Sequence, residues 1–146
     1  MRSTLHSTLD LSEKSHSNFF LQTSQTINSD CNDSNSQVWL SPVEAANLTV
    51  TGPSPTTVSW DDQGALAGLE TIYDLVTGLL SAPGNPGFAS AVCLQEGGPV
   101  SYNDTRPDPD AGGPAFWYLA RARNSCGIAT YGTSSFGAER SILACP

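Results

Sequence analysis

The chain has 146 residues, long enough for one domain with a real core, and sets six Lys and Arg against fourteen Asp and Glu, a formal net charge of -8. Phosphate backbones and anionic lipid surfaces repel such a chain, so nucleic acid is not an expected partner. Thirteen Gly, ten Pro and a single Met, with no apolar run of membrane-crossing length, describe a loop-rich all-β chain without a membrane span.

Residues 1–29 are rich in Ser, Thr, Asn and Gln, and their one concentrated apolar patch is Phe19, Phe20 and Leu21. This composition predicts an N-terminal arm outside the core. The stretch from Asn18 to Ile27 alternates enough to add to a sheet edge, in its own domain or a neighbour, although an unpaired tail is the plainer reading. The first seven residues lack the apolar run of a secretion signal. Either Met1 is not the native start, or a leader has been removed from a longer precursor. His6 and His16 both fall in this polar arm, where neither has a nucleophile beside it and both read as solvent-exposed spectators.

Residues 30–42 read as a linker whose alternating Asp and Asn side chains could gather oxygens. Calcium needs six to eight oxygen ligands, and Asp30, Asn32, Asp33 and Asn35 are the candidates. Residues 14–29 supply no carboxylate before them, so a loop capped by its own backbone is an equal reading.

Residues 43–146 have the texture of a sandwich, with short β-like runs separated by Gly, Pro and Asp. Seven strands are predicted, at 47–51, 56–60, 71–77, 88–94, 100–102, 115–124 and 129–135. A helix within 64–80 is the competing reading, because Ala65, Leu66, Leu69, Ile72 and Tyr73 recur at helical intervals. The run Phe116-Trp-Tyr-Leu-Ala-Arg-Ala-Arg-Asn124 alternates at period two. Phe116, Tyr118, Ala120 and Ala122 are expected to face a core, with Arg121 and Arg123 facing water on a sheet solvated on one side. Trp117 then lies on the outer face, to be stacked on an arginine, met by a partner or covered by the arm, the last being favoured.

Asn47-Leu-Thr-Val, Thr57-Val-Ser-Trp60, Ile72-Tyr-Asp-Leu-Val and the Phe116–Asn124 run followed by Ser-Cys-Gly together resemble a fibronectin type III module. The closer likeness is to a bacterial secreted version ending in Cys-Pro. The resemblance covers residues 43–146 and implies an immunoglobulin-like Greek-key sandwich with Trp60 packed between the sheets. The small Ala120 departs from the larger β-branched residue usual there. Ser29-Asp-Cys-Asn-Asp-Ser-Asn35 resembles the end of the aspartate-rich calcium motifs found beside such modules in bacterial surface proteins, which implies Ca2+ at the four residues named above.

Cys31, Cys93, Cys126 and Cys145 never occur as Cys-x-x-Cys, so disulfides in an oxidising compartment are expected, with reduced thiols as the alternative. If the sandwich topology holds, Cys93 and Cys126 fall toward one pole, leaving Cys31 to Cys145; Cys31 with Cys126 is the competing pairing. Carboxylates cluster at Asp61 and Asp62 and across Asp104, Asp108 and Asp110, but among turn residues, where acids serve solubility and turn geometry rather than a glycosidase pair.

The sequence thus predicts an extracellular or cell-surface module that is structural or adhesive rather than enzymatic. Its expected partner is another protein or itself, through strand addition by the arm into filaments. The alternative is a calcium-dependent accessory or carbohydrate-binding module of a larger secreted enzyme.

Overall fold

The structure is a computed structural model and describes residues 30–80, 88–109 and 114–146. Its centre is β3, Ile72–Leu79, whose six interior residues are all buried. A strand covered on both faces must satisfy two environments, and β3 does so through its register with β6, Phe116–Asn124. Tyr73 lies opposite Ala122, Leu75 opposite Ala120 and Thr77 opposite Tyr118 on one face. On the other face Asp74 meets Arg121, Val76 meets Leu119 and Gly78 meets Trp117.

Among the described residues, seven strands form two antiparallel sheets, the all-β sandwich expected from sequence. One sheet has the order β1-β2-β5, from β1 Thr49–Thr51, β2 Thr56–Ser59 and β5 Ser101–Asp104. The other has the order β4-β3-β6-β7, adding β4 Val92–Gly98 and β7 Gly127–Ile128. The predicted helix within 64–80 is realised only as a single turn, α1 Gly64–Ala67, and a short 3-10 turn at Phe88–Ser90 precedes β4.

Between the sheets, Val58, Trp60, Tyr73, Leu75, Ala120 and Ala122 form the main core. Trp60 is 6% exposed and its ring centroid lies 5.8 Å from that of Tyr73. Ala120 and Ala122 are buried against this aromatic pair, so two large rings occupy the volume that small residues leave.

The outer face of the four-stranded sheet corrects the expectation of a solvated side. Val76, Tyr131, Ile142 and Cys145 make a second core there, joined by Phe88, Ala91, Cys93, Trp117, Leu119 and Ala144. The cover over Trp117 is therefore Phe88, edge-on at 5.3 Å, together with the C-terminal segment. The N-terminal arm lies outside the described residues. Residues 129–135 are not the seventh strand: β7 ends at Ile128, and the chain turns at Gly132 to cross that face. The fourth predicted strand is shifted as well, since 88–90 forms the 3-10 turn and pairing runs from Val92 to Gly98.

That shift explains the disulfides. Cys31 pairs with Cys126 and Cys93 with Cys145, at Cα separations of 5.6 and 5.1 Å. The preferred pairs, Cys93 with Cys126 and Cys31 with Cys145, are thus corrected, and the competing pairing holds. Strands β4 and β6 both run antiparallel to β3, so they are parallel to each other. Cys93 stands near the start of β4, opposite Val76, whereas Cys126 lies beyond the end of β6, at the other pole.

Of residues 30–42, expected as a linker, 31–42 are built into the domain. Val38 is buried, and the Trp39 and Leu40 amides both donate to the Ala67 carbonyl. The unit formed by Cys31–Pro146 contains both sheets and both disulfides.

Candidate functional site

Charge inside this domain is consumed by two compact clusters. On the outer face, the Asp74 carboxylate has no solvent exposure and is met by Arg121 Nε at 2.8 Å, Arg123 Nε at 3.1 Å and the Gly97 amide at 2.9 Å. Gly97 reaches it from a register shift in β4 with φ of 64°, a conformation that favours glycine. Arg121 also donates to the Cys145 carbonyl at 2.9 Å and lies over the Tyr131 ring at 4.8 Å. Burial pushes the Tyr131 phenol up to about 12. The carboxylate accepts hydrogen bonds from Arg121 and Gly97 and is ion-paired with Arg123, whose Nε makes no hydrogen bond, an arrangement that suits a structural clasp.

At the other end of the sandwich, Asp104 accepts hydrogen bonds from Arg106 and from the Tyr118 hydroxyl at 2.9 Å. The Arg106 guanidinium, opposed by burial, holds this carboxyl down to about 2. Arg106 also donates to Thr77 Oγ1 at 3.1 Å and lies 4.1 Å over the Phe116 ring, where it helps line a cleft of about 230 Å³ with Leu79 and Val92.

The acids suspected from sequence are held apart. Asp61 accepts from the Asn47 amide at 2.7 Å, while Asp62 accepts from the Gly64 amide and the Tyr73 hydroxyl. Burial, helped by Asp62, pushes Tyr73 up to about 12. Asp108 accepts from the Ser54 amide; Asp110, His6 and His16 lie outside the described residues.

The proposed calcium ligands are placed on a turn. Asn32 donates to Ser125 Oγ at 2.8 Å, and Asn35 donates to Glu70 at 2.7 Å while its oxygen accepts the Gln37 amide at 3.0 Å. Asp30 and Asp33 are exposed on the same loop. Among the described residues, no three His, Cys, Asp or Glu side chains converge as a metal site. Phe19, Phe20 and Leu21 lie outside the described residues, and Trp117 is packed into the second core.

A surface without charge remains. Strand β1 ends its sheet, and all three of its residues are exposed. On its outer side, Thr49, Ser59 and Ser101 form one cross-strand row, and Thr51, Thr57 and Asn103 a second. These side chains bond to one another, Thr49 Oγ1 to Ser59 Oγ at 2.9 Å and Thr57 Oγ1 to Asn103 Oδ1 at 2.9 Å. On the inner side, Val58 is fully buried, yet its edge neighbour Val50 is 50% exposed. No charged residue occurs from Ala45 to Trp60.

No family model, curated protein or solved structure matches this chain.

Sequence reasoning placed a strand over 47–51 without singling out its bare edge, and gave Asp74 no role. A signal existed for both: a single acid amid apolar strand residues, with arginines at matching parity on another strand, and an uncharged run in a strongly acidic chain.

Proposed function

We propose that this chain is a non-catalytic structural or adhesive module of the extracellular space that joins its partners through the edge of its three-stranded sheet. The observation that carries the reading is β1, a bare and uncharged edge whose inward valine is half open. Natural sheets guard exposed edges with charge, proline or bulges, because an unguarded edge pairs with another chain. The strand order β1-β2-β5 against β4-β3-β6-β7 supports the fibronectin type III-like reading, and the engaged ionic clusters support a scaffold role. Both cysteine pairs at disulfide distance, and the finding that no described helix is long and apolar enough to cross a membrane, are compatible with an extracellular protein.

Light scattering over a protein concentration series, with and without residues 1–29, tests this. A mass that grows with concentration in the full chain and stays monomeric in the shortened one supports it. A monomer at every concentration in both removes self-assembly.

A further inference from the structure

We infer that the free edge of β1 accepts residues 18–27 of a second copy. In this arrangement Phe19, Leu21 and Ile27 lie on the same side of the sheet as Val50, and Gln22, Ser24 and Thr26 extend the hydroxyl-bearing outer face. The inference rests on the assembly reading above and adds the acceptor strand, the donor segment and which side of it faces inward.

Three features of the chain carry it. Val50 points the same way as the buried Val58 but has no neighbour beyond it in the sheet order, so half of its surface stays open. An added strand with apolar side chains on its inner parity closes that gap. Both stretches are also uncharged, residues 45–60 on the acceptor and residues 15–29 on the donor, in a chain with net charge -8. Two such acidic molecules repel over most of their surfaces, and these segments meet without that cost. Two of the other edges are guarded. β4 carries Glu96, two register shifts and the Cys93–Cys145 crosslink, and β5 ends on the paired Asp104. The parity of the segment favours this facing: its odd positions carry Phe19, Leu21 and Ile27 with Thr23 and Gln25 between them, and its even positions are polar except for Phe20. A one-residue slip would turn Phe20 inward and Leu21 and Ile27 outward, so the inward parity is specified.

The test uses the full chain and follows mass by light scattering against concentration. Val50→Lys on the acceptor and Leu21→Asp on the donor each raise the concentration needed for association by about tenfold or more. Val92→Lys, at an exposed position of β4, leaves it unchanged. Amide exchange in the unaltered chain gives a readout independent of any substitution: protection at Thr49–Thr51 and at residues 18–27 rises together with concentration. Association that is unaffected by Val50→Lys, or abolished by Val92→Lys, overturns the edge assignment while leaving the assembly reading intact. Protection at both segments in a strict monomer overturns the second-copy arrangement. A chain that never associates and shows no such protection removes both.

Discussion

Asp74 and Arg121 stand directly opposite each other across the β3–β6 pair, and the fully buried carboxylate accepts the Arg121 Nε–H at 2.8 Å. The arrangement couples three parts of the chain, since Arg121 also holds the Cys145 carbonyl and Gly97 of β4 donates to the same acid. Asp74→Ala leaves Arg121 and Arg123 facing each other without their anion. The expected loss is about 3 to 5 kcal/mol in urea unfolding of the oxidised protein, the range for breaking a buried pair from one side. A loss below about 1 kcal/mol would show that the cluster is solvated.

Gly78 lies beneath the Trp117 ring, where an added Cβ would come within 2.5 Å of Cζ2. Gly78→Ala is therefore expected to cost about 1 to 3 kcal/mol by overpacking. The double variant with Trp117→Leu should cost less than the two single changes together, because each relieves the other's strain or void. Thermal melts of the four proteins measure that coupling.

The Asp104 carboxyl is held at about 2 from an ordinary 3.8, chiefly by its hydrogen bond to Arg106. A depressed folded value means that the pair's stability is present above the unfolded pKa and is lost as pH falls through the folded one. Between pH 4 and 2 the wild type should lose about 1 to 2 kcal/mol more than Asp104→Asn, the figure being reduced for the partly exposed Arg106. Stability measured against pH on both proteins checks it.

Tyr73 and Tyr131 are both pushed up from 10 to about 12 by burial. For these groups the sign reverses: their contribution is complete below pH 10 and disappears as pH rises through about 12. Phenolate absorbance should therefore show two tyrosines that ionise only as the fold is lost.

Peptide mapping under non-reducing conditions should return Cys31 joined to Cys126 and Cys93 joined to Cys145. The bridges close 95 and 52 residues of sequence separation. Removing either pair by Cys→Ser substitution is expected to cost roughly 4 kcal/mol on a loop-entropy basis. Recovery of a Cys93–Cys126 peptide would refute the topology.

The period-two rhythm of Phe116–Asn124 was enough to read β6 and to turn Tyr118, Ala120 and Ala122 to the main core, although Phe116 on the same face lies under Arg106 at a cleft instead. The Gly, Pro and Asp punctuation was enough to count the strands. What that rhythm cannot say is what lies beyond the far face. Arg121 and Arg123 look like water-facing residues until Asp74, 47 positions before Arg121, is brought beneath them. The cysteine pairing was misread for a similar non-local reason. Placing the fourth strand a few residues early moved Cys93 to the wrong end of it, and a small boundary error became a change of pole. The bare edge at β1 escaped notice because an absence of charge draws attention only once the strand's place in the sheet is known.

The covalent circuit has a mechanical corollary. Tension that enters at Cys31 passes straight through sulfur to Cys126 and follows the backbone to Cys145. Strands β1 to β6 hang off this path as a side loop that the pull does not reach. The second bridge ties that loop back to Cys145 without adding slack. Pulled by its two ends, the domain would lengthen by no more than the span from 126 to 145, and only by stripping the cover from the second core.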